Sequence, residues 1–355
     1  MLSPATIAVI GLWHLGETYS IGLAELGHRV FGLSDDQEII DNFNRNILPL
    51  PEPGLENFLR EHRASGRLTY TTNFQEIEKC NVVWLAFDTP VNAEDDVDLN
   101  IIWKALEKCL PHLKNGVLIV ATSQLPVGTT GELKKTIAAA RPELKFESAC
   151  APENLRLGEA AECFFHPRRI VIGADTPAAF KKMREIFSPL QSEILEMSSL
   201  SAEMAKHSLN AFLATSLSFI NDIADICEVT GADILDVVKA LRSDERIGPK
   251  AYLEPSLGFS GGTLGRDLRA LLALSEFHQQ PLPVIESVFQ KNASRKKLVF
   301  SRLKKELTDF KGKSIAVFGL TYKAGTSTLR RSQALEIVQE LSDAGALLRL
   351  YDPSV

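Results

Sequence analysis

The sequence has little cysteine and no pattern that would cross-link it. Its 355 residues include 5 cysteines, an odd number. They are widely separated and form no CxxC pair, so neither a disulfide framework nor a zinc site is indicated. These residues are Cys80, Cys109, Cys150, Cys163 and Cys227. We expect reduced thiols in a cytoplasmic protein.

Long apolar runs and a basic stripe are also missing. No run of about 18 apolar residues occurs, and the start, MLSPATIAVIG, has no basic leader before an apolar stretch. The 39 Lys and Arg against 45 Asp and Glu give a formal net charge of −6, without the clustered basic residues that grip nucleic-acid phosphates. We therefore expect a cytoplasmic protein that binds neither a membrane nor nucleic acid.

What is present is the composition of a globular enzyme with more than one domain. Apolar residues make up 45% and charged residues 24%, which excludes a disordered chain, and the length exceeds one ordinary core. The histidines show no metal-ligand spacing, so no metal site is predicted. His207 adjoins Lys206 on a predicted helix but points about 100° away, and we expect it to be a packing residue.

The N-terminal part alternates strand and helix. The run TIAVIGL ends at Gly11, a helical pattern opens near Gly16, and a second strand follows over 29–33. A strand, a glycine turn, a helix and a strand form a βαβ unit with a parallel sheet. Buried strands are also predicted over 81–87 and 117–122. The fold class predicted here is α/β, beginning with a doubly wound Rossmann-like domain.

Helical periodicity dominates after the first domain. A long helix is predicted over about 199–229, long enough to carry a dimer contact. The run KSIAVFG then repeats the pattern of TIAVIGL, an apolar strand that ends at a glycine. It opens a second predicted βαβ unit, with a helix over 332–344 and a strand over 347–351. The expected domains are 1–175 (dinucleotide-binding), 176–310 (helical middle) and 311–355 (start of a nucleotide-sugar-binding domain). We expect the sequence to end inside this third, partial Rossmann-like domain.

The turn GLWHLG retains two of the three glycines of a dinucleotide fingerprint. Gly11 suits the sharp turn and Gly16 the close approach of helix and strand, but Trp13 replaces the glycine that lets a pyrophosphate lie on bare backbone. Asp35 and Asp36, with no basic pair after them, favour NAD over NADP. The predicted cofactor-binding residues are Gly11, Trp13, His14, Leu15, Gly16, Asp35, Thr89 and Pro90.

Several distant motifs occur in one order along the chain. They are TTNFQEI, LAFDTPVN, SQLPVGTT, APENLRLGEA, AEMAKHSLNAFLATSLSFINDIA, RIG, GFSGGTLGRD and GLTYKAGTSTLRRSQAL. In these motifs the sequence resembles the UDP-glucose/GDP-mannose dehydrogenase family over nearly all of residues 5–353. The resemblance implies that a nucleotide sugar is oxidised twice at C6 with two NAD, through a cysteine thiohemiacetal and thioester, to a uronic acid. It also implies a homodimer through the long helix and a role in polysaccharide biosynthesis.

The resemblance carries over to four polar residues of the presumed active site. Lys206 and Asn210 lie four apart on one helix face and match the family's lysine and asparagine that stabilise the oxyanion and position water. Glu153 matches a glutamate that orients the reacting group or water. Asp267 matches the aspartate that works with the lysine as an acid/base partner.

Three positions depart from the family. Thr263 occupies the place of the nucleophilic cysteine, Leu157 that of a second glutamate, and Gln124 that of a threonine. A hydroxyl needs a strong adjacent base and gives a poorer leaving group than a thiol, so a thioester route at Thr263 is not expected. The sequence therefore predicts an oxidoreductase limited to a two-electron step.

Basic and glycine residues are expected to bind the nucleotide sugar. Arginine and lysine suit a pyrophosphate because they donate charge-assisted hydrogen bonds, and glycines allow the backbone to approach a ligand. By resemblance, Arg246 acts across the dimer. The predicted substrate-binding residues are Arg246, Gly258, Phe259, Gly261, Gly262, Lys323 and Arg330.

Two other readings stay open at this point. The substitutions at Trp13, Ser34 and Thr263, with the unfinished last domain, are also compatible with a non-catalytic paralogue that binds NAD or a nucleotide sugar and acts through assembly. A 6-phosphogluconate- or hydroxyacid-type dehydrogenase shares a Rossmann domain followed by a long-helix domain. The second βαβ unit argues against that type.

Overall fold

The computed structural model describes residues 4–88, 98–122, 125–152, 155–260, 263–322, 327–329 and 331–355. The chain divides into two compact units, Met1–Lys206 and His207–Val355. No helix in the described ranges combines the length and the apolar character needed to cross a bilayer.

The first unit is built on one eight-stranded sheet with the order β3-β2-β1-β4-β5-β6-β7-β8. Every strand pair is parallel except β6 with β7. The strands are β1 (Thr6–Ile10), β2 (Arg29–Leu33), β3 (Leu68–Thr71), β4 (Val82–Leu85), β5 (Val117–Ala121), β6 (Phe146–Cys150), β7 (Arg169–Ala174) and β8 (Glu193–Met197). The predicted doubly wound domain is confirmed.

Helices cover both faces of this sheet. They are α1 (His14–Glu25), α2 (Gln37–Asn44), α3 (Leu55–Ala64), α4 (Asn100–Cys109), α5 (Thr129–Ala140), α6 (Ala160–Phe165) and α7 (Pro177–Phe187), with 3₁₀ turns at Phe74–Lys79 and Leu110–His112. Helices α1, α2, α3, α6 and α7 pack on one face, and α4 and α5 on the other. Because both faces are covered, the central strands β1, β4 and β5 are predominantly apolar along their whole length.

The sheet continues past the domain boundary expected at residue 175. Strand β8 pairs in parallel with β7, so the first unit extends to Lys206. The segment EILEM of β8 carries two glutamates and is only partly buried, and therefore lacks the apolar run that identifies a central strand.

Helix α8 (Ser199–Thr230) begins in the first unit and continues in the second. Its 32 residues span about 48 Å, and the long helix predicted over about 199–229 is confirmed. The second unit also contains α9 (Ile234–Ser243), α10 (Leu264–His278), α11 (Pro283–Leu307) and α12 (Gln333–Asp343).

A second βαβ unit ends the described chain. Strands β9 (Ser314–Phe318) and β10 (Leu347–Tyr351) pair in parallel, with α12 between them in sequence. Phe310, Ile337 and Leu341 form the buried cluster beneath this pair. The strand and the βαβ unit predicted from KSIAVFG are therefore present.

Candidate active site

Two glycines shape the turn between β1 and α1. Gly11 has a φ of +94°, a conformation that L side chains rarely adopt. A Cβ atom on Gly16 would lie 1.7 Å from the Gly11 carbonyl oxygen. Helix α1 therefore lies so close to the strand end that only glycine fits at position 16.

The residues between these glycines bond to the protein's own side chains. Trp13 is extended and 49% exposed. The Nε2 atom of His14 lies 2.9 Å from Glu52 Oε1. The backbone N–H of Leu15, in the first turn of α1, donates to Asp88 Oδ2 at 2.9 Å. Of the other predicted cofactor-binding residues, Thr89 and Pro90 lie outside the described residues.

Buried carboxyl groups surround this helix terminus. Glu52 accepts from the backbone N–H groups of Gly158 (2.7 Å) and Ala160 (3.1 Å). Glu17 is fully buried. Burial raises the pKa of Glu17 to about 9, with a smaller contribution from the like charges of Glu52 and Asp88. Glu17 is therefore protonated near neutral pH.

The two acids after β2 have different partners. Asp35 is exposed and forms an ion pair with Lys108. That hydrogen bond lowers the pKa of Asp35. Asp36 caps α2 by accepting from the N–H groups of Glu38 and Ile39. The Asp36 carboxylate is therefore used to cap α2, whereas the Asp35 carboxylate is exposed and pairs with the exposed Lys108.

A buried glutamate ties the SQLPVGTT motif to the start of α8. Glu203 accepts from the N–H groups of Gly128 (2.6 Å) and Thr130 (2.8 Å), and from the Thr130 hydroxyl at 2.5 Å. These amides belong to the uncapped start of α5, which needs acceptors. Lys206 follows Glu203 by one turn of α8. Glu153 and Gln124 lie outside the described residues.

Asp267 is the centre of a buried polar cluster in the second unit. It is fully buried on α10, and its Oδ1 lies 2.9 Å from His207 Nδ1. The Asn210 side-chain amide donates to Oδ2. His207 and Asn210 are three positions apart on α8 and so project toward the same side of the helix. His207, which was expected to be a packing residue, is indeed buried, and its ring also bonds directly to Asp267.

Thr263 lies one turn before Asp267, at the start of α10. It is exposed, and its side chain makes no capping hydrogen bond. Its carbonyl oxygen accepts from the Asp267 N–H at 3.1 Å. Both Asp267 oxygens already have partners in His207 and Asn210. The Asp267 carboxylate is therefore held by two donors on α8.

Side chains fix the loop that precedes Thr263. Phe259 donates its N–H to Asn292 Oδ1 (2.8 Å), and its carbonyl accepts from Asn292 Nδ2 at 3.0 Å. Gly258 has a φ of +109°, and a Cβ there would lie 2.4 Å from Asn292 Oδ1. The glycine is therefore required by a protein side chain as well as by the backbone.

The predicted basic residues are only partly described. Arg246 is largely exposed and pairs with Asp244, at 2.8 Å from Nη2 to Oδ2. That hydrogen bond raises the pKa of the Arg246 guanidinium. The other predicted substrate-binding residues that lie outside the described ranges are Gly261, Gly262, Lys323 and Arg330.

No disulfide joins the five cysteines. Burial raises the thiol pKa to about 12 at Cys80, Cys109 and Cys150. Cys227, on α8, is buried and lies about 25 Å along the helix from Asn210. The described structure therefore offers no activated thiol in the Thr263 segment.

The turn and the sheet fit a dinucleotide, whose phosphates are bound by free backbone N–H groups at the start of the first helix. Gly11 and Gly16 provide the backbone geometry for such a site. The N–H of Leu15, however, is bonded to Asp88. One N–H group at the phosphate end therefore already has an acceptor within the protein.

Sequence reasoning missed four side chains that hold these segments together. They are Glu52, Asp88, Glu203 and Asn292. Each bonds to backbone more than 30 positions away in the chain, so local periodicity carries no signal for them. Two of the four lie within the family motifs, Asp88 in LAFDTPVN and Glu203 in AEMAKHSLNAFLATSLSFINDIA.

Three domain models of one protein family match successive parts of the chain. Residues 5–191 match the NAD binding domain of the UDP-glucose/GDP-mannose dehydrogenase family, 200–294 its central domain and 316–355 its UDP binding domain. The last match argues against a hydroxyacid-type dehydrogenase.

Individual relatives agree. The chain is 33% identical to the UDP-glucose 6-dehydrogenase YwqF of Bacillus subtilis, over 98% of this chain and 79% of the relative, and 34% identical to a UDP-glucose 6-dehydrogenase of Rickettsia bellii, over 98% and 80%. The structure of a UDP-glucose dehydrogenase from Pyrobaculum islandicum superposes with a TM-score of 0.93 at 29% identity, covering 99% of this chain and 82% of that one. The matches do not favour a non-catalytic paralogue. The chain belongs to the UDP-glucose/GDP-mannose dehydrogenase family and is an NAD-dependent oxidoreductase of the nucleotide-sugar dehydrogenase type.

Proposed function

We propose that this chain oxidises the C6 alcohol of a nucleotide sugar to the aldehyde, in a two-electron step that ends there. The observation that carries the proposal is Thr263. By the resemblance it occupies the position of the family's nucleophilic cysteine. Its side chain makes no capping hydrogen bond, and both oxygens of the nearby Asp267 carboxylate accept hydrogen bonds from His207 and Asn210. Oxidation of an alcohol to an aldehyde needs no covalent carrier, whereas the route through a thioester requires sulfur.

The first step breaks one C–H bond and one O–H bond. NAD bound at the turn of Gly11 and Gly16 would supply the acceptor for the C6 hydride, and the hydroxyl proton would pass to water. Lys206 and Asn210 stabilise the negative charge that develops on the oxygen through their N–H donors. Asp267 holds Asn210 in position through the amide N–H that it accepts. Glu153 orients the reacting alcohol.

The second oxidation stops because no acyl carrier is supplied. A threonine alkoxide would require a base, and Asp267 is committed to His207 and Asn210. The thiols of Cys80 and Cys150 have a pKa of about 12 and are almost entirely un-ionised near neutral pH.

The same proposal covers the binding of the nucleotide sugar, which we assign to the substrate-binding residues predicted from the sequence. Arg246 contributes across the dimer, and Gly258, Phe259, Gly261 and Gly262 serve to bind the sugar. Lys323 and Arg330 provide charge to the pyrophosphate. The match of residues 316–355 to the UDP binding domain supports the nucleotide-sugar class of substrate.

The test is the stoichiometry of the reaction. The protein is incubated with NAD and either UDP-glucose or GDP-mannose, with hydroxylamine present to trap an aldehyde. We expect one NADH per sugar consumed and an oxime product. Two NADH per sugar with release of a uronate would refute the two-electron limit, and the absence of NADH with every nucleotide sugar would refute the activity.

A set of variants separates the nucleophile from its surroundings. Replacing Thr263→Cys, Leu157→Glu and Gln124→Thr together restores the three family positions, and we expect NADH per sugar to rise from one toward two. Thr263→Ser is the matched control and should stay at one, because it retains a hydroxyl. No increase in the triple variant would show that something other than these positions limits the reaction.

Pairing of two copies through α8 is also part of the proposal. Phe212, Phe219 and Ile226 follow one another at intervals of seven and are 70%, 48% and 61% exposed. Exposed apolar side chains with this spacing form one stripe along a helix and suit an interface. Light scattering should show a dimer that Phe219→Glu dissociates, and a monomeric unaltered chain would contradict the pairing. The cytoplasmic location and the role in polysaccharide biosynthesis stay predictions.

A further inference from the structure

The backbone N–H groups at the start of α1 are the natural binding groups for a dinucleotide. The first N–H groups of a helix have no partner within the helix. In the dinucleotide-binding fold they face the cofactor's pyrophosphate, where the helix dipole favours negative charge. The N–H of Leu15 is one of these groups, because α1 begins at His14.

In this chain a carboxylate already occupies that group. Asp88 Oδ2 accepts from the Leu15 N–H at 2.9 Å. Asp88 follows β4, which is the neighbour of β1 in the sheet. The pairing of β4 with β1 therefore brings the Asp88 carboxylate to the N-terminus of α1, where an anion is favoured.

Two further carboxyl groups, those of Glu17 and Glu52, lie near this helix terminus and make it less favourable for a phosphate. Glu52 and Asp88 lie close enough to Glu17 for their charges to raise its pKa. Glu17 is itself fully buried, and in the described structure its Oε1 atom has no hydrogen-bond partner. Three carboxyl groups thus lie near this helix terminus, and Glu52 is paired there with His14 Nε2 at 2.9 Å.

We propose that Asp88 is an internal competitor of the cofactor's pyrophosphate, and that it sets the NAD affinity of this enzyme. NAD binds only when the Asp88 carboxylate gives up the Leu15 N–H. The inference goes beyond the proposed reaction, since it concerns cofactor binding without sugar and does not depend on how many hydrides are transferred.

The experiment is a calorimetric titration of the purified full chain with NAD in the absence of sugar. Asp88→Ala frees the Leu15 N–H and removes a charge, and we expect NAD to bind about tenfold tighter or more, because a hydrogen bond to a charged group no longer has to be broken. Asp88→Asn keeps an acceptor but removes the charge, and should give an intermediate affinity. Inorganic pyrophosphate, used as a second probe, should follow the same order.

The matched control is Asp233→Ala. Asp233 also caps a helix, α9, through its carboxylate and the Leu235 N–H at 2.8 Å, so this variant loses the same kind of contact and the same charge. Its NAD affinity should equal that of the unaltered protein. Thermal unfolding with and without NAD checks that the variants fold, and the NAD-induced rise in Tm should be largest for Asp88→Ala.

An equal or weaker NAD affinity in folded Asp88→Ala would overturn the proposal, as would a tighter affinity shared by Asp233→Ala. If Asp88→Ala does not fold, Asp88→Asn decides: an affinity no higher than that of the unaltered chain would overturn it. The number of NADH per sugar leaves this result unaffected, so the failure of one proposal is distinguishable from the failure of the other.

Discussion

The Nδ1 atom of His207 lies 2.9 Å from the Oδ1 atom of Asp267, and both side chains are buried. Asn210 donates to the second oxygen of the same carboxylate. A carboxylate removed from water requires such donors, because burying it without them is costly. Asp267 is thereby fixed in one orientation, and it fixes Asn210 in turn.

Removal of the His207 ring should destabilise the protein. We expect His207→Leu to lower the free energy of unfolding by roughly 1–3 kcal/mol, since a buried acceptor loses its donor. His207→Asn can place an amide N–H near the position of Nδ1, and should lose less. Urea unfolding followed by circular dichroism measures both.

A control for this change is available in the first unit. His62 is buried and bonds to Glu25 at 2.6 Å, but the Glu25 side chain is 36% exposed and can exchange its partner for water. His62→Leu should therefore cost less than His207→Leu. The reverse order would contradict the importance assigned to the buried Asp267.

Removal of the Asn210 amide should slow the chemical step. We expect Asn210→Ala to lower kcat about 10²–10³-fold with little change in KM for the nucleotide sugar, as for the loss of a donor to a developing oxyanion. Steady-state NADH formation measures it. Ser208→Ala, at an exposed position on the same helix, should leave kcat unchanged. A rise in KM alone would show that Asn210 serves binding and not the transition state.

A side chain at Gly258 should disrupt the loop before Thr263. Its φ of +109° and the 2.4 Å approach of a Cβ atom to Asn292 Oδ1 act together. We expect Gly258→Ala to lower Tm and to raise KM for the nucleotide sugar. Gly231→Ala is the control, because Gly231 also has a positive φ, +80°, but nothing lies within 4 Å of its Cβ position. Equal losses of Tm in the two variants would mean that backbone strain alone is responsible.

The buried Glu17 should make stability depend on pH. Its pKa rises from an ordinary 4.5 to about 9, chiefly through burial. Between these values the folded chain holds a proton that the unfolded chain has released, so the free energy of unfolding falls as pH rises, by up to about 1.4 kcal/mol per pH unit.

The neutral variant Glu17→Gln should remove this dependence. We expect it to be more stable than the unaltered chain by a margin that grows from pH 5 to pH 8, as measured by urea unfolding. Glu56→Gln, at an exposed position on α3, should unfold in parallel with the unaltered chain at every pH. Parallel curves for Glu17→Gln as well would show that Glu17 is ionised in the folded protein.

The sequence predicted the elements whose pattern is local. The apolar runs that became β1 and β9, and the periodicity that became α8, depend on neighbours two to four residues apart. Strand β6 was not predicted, because its segment FESAC contains a glutamate and a serine and so lacks an apolar run. It is a strand because it pairs with β5. Strand β8 was missed for a similar reason.

Side-chain partners at the candidate site depend on long-range placement. Asp88 and Leu15 are 73 residues apart, and His207 and Asp267 are 60 apart. No pattern within one element specifies which of many acids meets which donor. Resemblance identified Asp267 and Asn210 as functional residues, but the identity of their partner His207 required the folded chain.

The 1.7 Å separation between a Cβ on residue 16 and the carbonyl oxygen of residue 11 has a consequence for reading related sequences. The close packing of helix on strand requires a residue without a side chain at position 16 whether or not a nucleotide is bound. A descendant that had lost all affinity for its coenzyme would preserve the same spacing.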